Sequence, residues 1–116
     1  MDDILKQALL YDFYGELLTE HQKEIYEQAV IEDLSLGEIA KGAGISRQGV
    51  HDLIRRCDRT LQSYEEKLHL VERFLSVKRK LKRINERLDR EAETVQDVEQ
   101  LKEDIRRISS EILEEL

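Results

Sequence analysis

The sequence predicts an all-α protein, with a helix-turn-helix domain at residues 1–66 and a helical extension at residues 67–116 that forms a helical hairpin or a coiled coil. The composition supports this fold class because 39% of the residues are charged, only 5% are aromatic and proline is absent, as in long exposed helices. Helix-start signals recur along the chain, and Leu36–Arg55 has the spacing of a helix-turn-helix. A chain of 116 residues can bury only a modest core, which argues against a large enzyme.

Two helices are predicted before the motif. The first begins with Asp2 and Asp3, acidic side chains that the positive end of a helix favours, and carries apolar residues at spacings that gather them on one side. Thr19 precedes Gln22 by three residues, the spacing of a capping box, in which each side chain binds the backbone of the other residue. A second helix therefore begins after Thr19, and we expect it to end near Asp33.

The helix-turn-helix is predicted at Leu36–Arg55. Ser35 and Glu38 repeat the capping-box spacing, and Ser46 is a favourable N-cap for the next helix, which we expect to run toward Arg59. Such a motif needs a small residue where its helices cross, a glycine in the turn, and apolar residues that lock the second helix against the first. The residues that fill these roles are Ile39, Ala40, Gly44, Ile45, Val50 and Leu53.

The second helix of the motif is expected to turn a polar surface outward. Arg47 and Gln48 suit the edges of guanine and adenine, and Arg55 and Arg56 could hold phosphates. Asp52 would repel phosphates unless it accepts a hydrogen bond from cytosine or pairs with Arg56. The same three-helix unit could also be a packing scaffold with solvated arginines, because a fold alone does not establish a function. The candidate binding residues are Ser46, Arg47, Gln48, His51, Asp52, Arg55 and Arg56.

Charge is unevenly distributed along the chain, whose net charge is -7. Residues 1–40 contain two Lys and ten Asp/Glu, residues 41–90 contain fourteen Lys/Arg and seven Asp/Glu, and the remainder is acidic again. The basic middle block includes a second basic run at residues 78–90, which could meet RNA phosphates or an acidic protein. A charged helix face that is partly paired with Glu86 and Asp89 explains this run without a ligand.

The extension contains neither glycine nor proline, and a continuous helix over residues 50–116 would be ~100 Å long. The clearest interruption is Asp89–Glu93, after which Thr94 and Asp97 form an acidic variant of the capping box. Because the last 50 residues have little other core, we expect a homodimer rather than a self-sufficient monomer. Apolar stripes with alternating intervals of three and four residues flank the interruption, namely Leu61, Tyr64, Leu68, Val71 and Leu75 before it and Val98, Leu101, Ile105, Ile108 and Ile112 after it.

No enzyme site is predicted. The three histidines lie in separate segments without zinc-site spacing, and Cys57 is the single cysteine, so neither a metal centre nor an internal disulfide is expected. The glycines of the turn lack the following Lys-Ser/Thr of a phosphate-binding loop, and no cofactor is expected. No apolar run is long enough to cross a bilayer or to form a signal-peptide core, so we expect a cytoplasmic protein without membrane insertion.

Four segments together resemble the YlxM family of small bacterial proteins, which are similar to region 4 of sigma factors. They are DFY at Asp12–Tyr14, SLGEIA at Ser35–Ala40, SRQ at Ser46–Gln48 and YEEKL at Tyr64–Leu68. The resemblance implies a sigma region 4-like helix-turn-helix protein that is encoded beside the signal recognition particle GTPase and is associated with regulating that pathway. The partners it implies are this GTPase or the RNA of the particle.

Three functional hypotheses follow. The leading one is a regulatory protein of the signal recognition particle pathway that contacts the GTPase or its RNA through the basic central region. The principal alternative is a DNA-binding transcriptional regulator, in which a dimer presents two recognition helices to half-sites about one helical turn apart. The third is a structural coiled-coil adaptor whose exposed arginines bind nothing.

Overall fold

In a computed structural model, residues 3–116 are described, and they form helices without any strand, as the all-α prediction requires. The expected contribution of Asp2 to the first helix lies outside the described residues. The helices are α1 (Asp3–Tyr14), α2 (Glu20–Tyr26), α3 (Leu36–Ala43), α4 (Arg47–Leu68), α5 (Leu70–Leu88) and α6 (Val95–Glu115), with a 3-10 turn at Gly15–Leu17 and a π-helical segment at Glu27–Ile31 that continues α2.

The chain divides into two compact units, the first ending at Val71 and the second spanning Glu72–Leu116. The first unit contains α1 to α4 together with the first two residues of α5, and the second contains the rest of α5 and all of α6. The domain boundary expected after residue 66 falls inside α4, which continues to Leu68.

The four helix starts predicted from side-chain spacing are confirmed. The hydroxyl oxygens of Thr19, Ser35 and Thr94 each accept a hydrogen bond from the amide three residues later, and each of these residues belongs to a complete capping box. The Ser46 hydroxyl accepts from the amide of Gly49 at 2.9 Å. Each cap satisfies an amide that the first helical turn would otherwise leave without a partner.

One helix end differs from the sequence-based expectation. The helix α4 continues past Arg59 to Leu68, because its buried side continues beyond the motif with Leu61. It ends at His69, which has a positive φ of 56° and donates its amide hydrogen to the carbonyl of Glu65. The second interruption, between α5 and α6, lies where the sequence predicted it.

A compact core holds the helix-turn-helix together. Ile25 of α2, Ile39 and Ala40 of α3 and Val50 of α4 are buried against one another. Burial of such side chains stabilises the domain by about 1.5–3 kcal/mol for each large aliphatic residue. The partly buried residues that pack around this cluster are Ala29, Leu34, Leu36, Leu53 and Ile54.

The turn of the motif is made by Gly44, whose φ is 69°. Residues with a Cβ adopt this left-handed conformation only at a cost, and glycine does not. The amides of Gly44 and Ile45 both donate hydrogen bonds to the carbonyl of Ala40, at 2.9 and 3.2 Å. The chain thereby reverses directly after α3 and delivers Ser46 as the cap of α4.

A partly buried carboxylate connects α4 to the two helices before the motif. Tyr26, which is fully buried, donates its hydroxyl hydrogen to Asp58 at 2.6 Å. The amide group of Gln7 donates to both oxygens of the same carboxylate, at 3.0 and 3.1 Å. Burial and the hydrogen bond with Asp58 raise the pKa of Tyr26, so its hydroxyl remains a donor.

A second partly buried carboxylate holds the first turn of α5. Tyr14, only 1% exposed, donates to the Oε1 atom of Glu65 at 2.5 Å. The amide of Leu70 donates to the Tyr14 hydroxyl at 3.1 Å, and the amide of Val71 donates to Glu65 Oε1 at 3.0 Å. The side chains of Tyr14 and Glu65, which are 51 residues apart in the sequence, therefore cap α5 in place of the usual N-cap residue.

The second unit is an antiparallel helical hairpin within one chain. Arg87 of α5 donates to Asp104 of α6 at 2.8 Å, and Arg83 lies 3.6 Å from Glu111. Lys80, one turn earlier, pairs with Glu115. The paired residue numbers fall along α5 while they rise along α6, so the two helices are antiparallel. The sequence allowed a hairpin or a coiled coil, and the structure forms the hairpin.

Tyr14→Phe tests the cap of α5, because it removes the bridging hydroxyl and keeps the ring. We expect the free energy of unfolding to fall by about 1–3 kcal/mol, since a carboxylate and an amide both lose a partner. Urea denaturation followed by circular dichroism measures the change. The control is Tyr64→Phe, because the Tyr64 hydroxyl makes no hydrogen bond within the described chain, and it should change stability by less than about 0.5 kcal/mol. Equal losses in both variants would contradict the role assigned to the Tyr14 hydroxyl.

Gly44→Ala and Gly42→Ala form a matched pair that tests the turn. The first substitution places a Cβ at a positive φ and should destabilise the protein by about 1 kcal/mol. The second lies in α3, where an added Cβ meets no atom within 4 Å, and it should stabilise the protein by about 0.5–1 kcal/mol. Thermal unfolding of both variants provides the measurement, and a stabilised Gly44→Ala would overturn the assignment of the turn.

Candidate functional site

The motif core predicted from the sequence forms as expected except at one position. Ile39, Ala40 and Val50 are buried, Leu53 packs against them, and Gly44 makes the turn. Ile45 is instead 38% exposed. It lies between the cap that ends α3 and the cap that starts α4, so its side chain lies over the first turn of α4 beside Gly49 rather than at the helix crossing.

The outward surface of α4 contains most of the candidate binding residues. Val50, Cys57 and Leu61 are the buried residues of this helix, and their spacing fixes the face that packs on the rest of the unit. His51 is half-buried, and the Ser46 hydroxyl is occupied by its capping hydrogen bond. The candidate residues with exposed side chains are Arg47, Gln48, Asp52, Arg55 and Arg56.

Asp52 is engaged by a neighbour on its own helix. Gln48 donates a hydrogen bond to its Oδ1 atom at 2.9 Å, and His51 Nδ1 lies 3.7 Å from the same oxygen. The expected alternative, an ion pair between Asp52 and Arg56, is absent among residues 3–116. The amide of Gln48, which would otherwise suit an adenine edge, is therefore already directed to a carboxylate.

The exposed arginines of α4 remain available for a ligand. Arg55 and Arg56 line a shallow surface concavity together with Asp52 and Arg59. No ion pair within the described chain involves Arg47, Arg55 or Arg56. Guanidinium groups in such a row can bind phosphates or carboxylates with two parallel hydrogen bonds each.

Arg59 lines the same concavity, although it is not among the binding residues predicted from the sequence. It lies four residues after Arg55 and seven after Asp52, intervals that keep residues on one helix face. The intervals of four and seven residues could be read from the sequence, but α4 was expected to end near Arg59. We define the α4 arginine surface as Arg55, Arg56 and Arg59, which line one concavity. Arg47 lies about two and a half turns before Arg56, on the opposite side of α4, with its side chain near Gly37 of α3.

Gly49 allows a close approach within the first turn of α4. A Cβ at this position would lie 3.1 Å from the Ser46 hydroxyl oxygen, which is tighter than ordinary contact. That oxygen is the acceptor of the cap, and its donor is the amide of Gly49 itself. The glycine therefore leaves room for the capping hydroxyl.

The second basic run has different partners from those expected. The sequence suggested Glu86 and Asp89 on the same helix, whereas Lys80, Arg83 and Arg87 pair with acidic residues of α6. These three cations therefore hold α5 and α6 together. The exposed cations that remain in it are Lys78, Arg79, Lys82 and Arg90.

The described residues, 3–116, contain no candidate metal site and no helix that could span a membrane. No three His, Cys, Asp or Glu side chains in that range cluster in a way that could hold a metal ion. Within the same range, no helix combines the length and the apolar character needed to cross a membrane. Cys57 is fully buried, and burial raises the pKa of its thiol to about 11.

The fold, the two capped helices and the glycine turn define a helix-turn-helix protein. The chain belongs to the YlxM/p13-like family of helix-turn-helix proteins, UPF0122, whose profile matches residues 1–103. The resemblance found from four sequence segments is therefore confirmed, and the match extends beyond them into α6.

Several relatives of this family cover most of the chain. A UPF0122 protein of Thermoanaerobacter sp. (strain X514) is 46% identical over 101 residues, which are 87% of this chain and 86% of the relative. A UPF0122 protein of Caldanaerobacter subterraneus subsp. tengcongensis is 49% identical over 85 residues, 73% of each chain. A UPF0122 protein of Acetivibrio thermocellus is 53% identical over 78 residues, 67% of each chain.

Asp52→Asn tests whether the outward face of α4 can approach a polyanion. The substitution removes a negative charge beside Arg55 and Arg56, so the affinity for an RNA duplex should rise several-fold at low salt. Fluorescence anisotropy of a labelled duplex at two salt concentrations measures this effect. Glu32→Gln, an exposed position at the end of the second helix, is the control with the same charge change. An unchanged affinity in Asp52→Asn, or an equal rise in both variants, would show that the polyanion binds elsewhere.

Proposed function

We propose that this protein regulates the signal recognition particle pathway in the cytoplasm, by binding the particle's GTPase or its RNA through the α4 arginine surface. The observation that carries the proposal is a row of exposed arginines, without ion pairs in the described chain, on the second helix of the motif. Membership of the YlxM-like family supports the choice of pathway.

Electrostatics support a local rather than a general attraction for anions. The chain has a net charge of -7, so its long-range field repels a polyanion. Binding must therefore rest on short-range contacts. Salt at about 0.1 M screens the long-range repulsion at separations beyond about 10 Å, so this repulsion does not prevent such contacts. The α4 arginine surface offers such contacts to RNA phosphates or to the carboxylates of an acidic protein surface.

The contact between Gln48 and Asp52 disfavours the alternative of a sequence-reading transcriptional regulator. In that alternative, side chains near the start of the recognition helix bind base edges in the major groove. Here Gln48 would have to leave Asp52, and Asp52 would lie among phosphates. Recognition by phosphate contacts and shape leaves the hydrogen bond between Gln48 and Asp52 intact.

Replacing Arg55 and Arg56 together with Glu tests the proposed surface. We expect at least a tenfold loss of affinity for the particle's RNA or for its GTPase, each titrated separately, and a loss of any effect on GTP hydrolysis. The control is Lys102→Glu with Arg106→Glu, which changes the net charge equally at exposed positions of α6. Unaltered binding of the double Arg→Glu variant to both components would refute the proposed surface.

The wild-type protein and the double Arg→Glu variant also distinguish the two alternative functions. Wild-type protein that binds neither component, but selects particular genomic DNA fragments at physiological salt, would replace this proposal with transcriptional regulation. Normal regulation of GTP hydrolysis by the double Arg→Glu variant would instead fit an adaptor that does not use these arginines.

A further inference from the structure

Arginine side chains from both helices of the hairpin line one concavity of the second unit. Its volume is about 460 Å³, within the range of sites that bind small ligands. Four guanidinium groups and two carboxylates surround this space, and we call the four arginines the hairpin arginine site. The charged side chains of the lining are Arg83, Glu86, Arg87 and Arg90 of α5 and Asp104 and Arg107 of α6.

Asp104 holds two of these arginines in place. Arg87 donates a hydrogen bond to one oxygen of its carboxylate at 2.8 Å, and Arg107 Nη1 lies 3.4 Å from the other oxygen. Gln100 donates to that second oxygen at 3.0 Å. The hydrogen bond from Gln100, followed by the hydrogen bond and charge of Arg87, lowers the pKa of Asp104, so the carboxylate stays ionised. One negative charge is thereby shared by two positive ones.

The site has more hydrogen-bond donors than the hairpin uses. Arg90 is exposed and makes no ion pair among residues 3–116, and Arg107 pairs only with a carboxylate of its own helix. Arg83 lies 3.6 Å from Glu111, which is beyond hydrogen-bond distance. Each guanidinium group has five N–H donors, and a bidentate ion pair uses two of them. Most donors of the hairpin arginine site are therefore available to an anion.

We propose that the hairpin arginine site binds a phosphate group. A phosphate group is tetrahedral and has up to three terminal oxygens, so it can accept hydrogen bonds from guanidinium groups of both helices at once. A carboxylate is planar, and a single bidentate guanidinium group occupies both of its oxygens. The proposal goes beyond the proposed function, because it holds whether or not the α4 arginine surface binds RNA.

The phosphate group can belong to an RNA backbone or to a small phosphorylated molecule. Arg83 and Arg107 are 50% and 58% exposed, so a single phosphate group at this open site binds weakly. An RNA backbone adds contacts with neighbouring cations and releases counterions from its other phosphates. Arg79 is such a cation, since it is exposed and lies four residues before Arg83 on the same face of α5.

Arg90→Gln with Arg107→Gln tests the site, because it removes two guanidinium groups that the pairing of α5 with α6 does not need. In the intact wild-type protein, inorganic phosphate at constant ionic strength should shift the Nε–H resonances of Arg83 and Arg87. The double variant should bind inorganic phosphate and a labelled RNA duplex at least about fivefold more weakly. Nuclear magnetic resonance measures the first affinity and fluorescence anisotropy the second, and circular dichroism verifies that the variant keeps its helices.

The control is Lys102→Gln with Arg106→Gln, which removes the same charge from exposed positions on the other side of α6. It should change neither affinity by more than about twofold, a difference of about 0.4 kcal/mol.

Glu86→Gln tests the site in the opposite direction. Glu86 lines the concavity and makes no ion pair among the described residues, so its charge opposes a bound phosphate group. Both affinities should rise several-fold at low salt. Glu24→Gln, at an exposed position of α2, is the control with the same charge change and should leave both affinities unaltered.

The two ligands also distinguish the sources of the phosphate group. Micromolar binding of RNA together with millimolar binding of inorganic phosphate would support an RNA backbone, and micromolar binding of inorganic phosphate would support a small phosphorylated ligand. Unshifted Arg83 and Arg87 resonances with both ligands would overturn the proposal. Shifts of equal size with polyglutamate would also overturn it, because they would identify a carboxylate-rich partner.

Discussion

The packing of Val50 against Ile39 and Ala40 is the contact on which the properties of α4 depend. Because α4 is one continuous helix, fixing its rotation at Val50 also fixes the orientation of every later turn. Cys57 is accordingly buried, and the arginines of the opposite side are exposed. A rotation by a single residue would move a charged side chain toward the core, where an unpaired charge is strongly destabilising. The tight turn at Gly44 also limits this rotation, because it connects the end of α3 directly to Ser46, the N-cap of α4.

Two carboxylates on α4 join segments that are distant in the sequence. Asp58 accepts hydrogen bonds from Gln7 and Tyr26, and Glu65 accepts them from Tyr14 and from the amide of Val71. Two of the segments that carry the family resemblance, DFY and YEEKL, meet at the contact between their tyrosine and glutamate. The same helix therefore uses acidic side chains toward the interior and basic ones toward solvent, in a protein whose overall charge is negative.

Local features of this fold could be predicted from the sequence, and contacts between distant residues could not. Helix caps such as Ser35 depend on residues within one turn, and so does the positive φ of Gly44. The end of α4 at His69 depends on tertiary packing and carries no glycine or proline signal. In the candidate site, exposure of the arginines followed from periodicity, whereas the hydrogen bond between Gln48 and Asp52 was one of several four-residue pairings that the sequence allowed. Arg59 was missed because its helix was expected to end there.

The proposed function requires the α4 arginine surface to contact a component of the signal recognition particle. Nuclear magnetic resonance of the isotope-labelled intact protein, titrated with the particle's RNA and then with its GTPase, tests this claim most directly. We expect that, for at least one component, the perturbed amide signals cluster between Arg47 and Arg59, together with the side-chain signals of the arginines. Perturbations confined to α1 or α6, with α4 signals unchanged for both components, would contradict it.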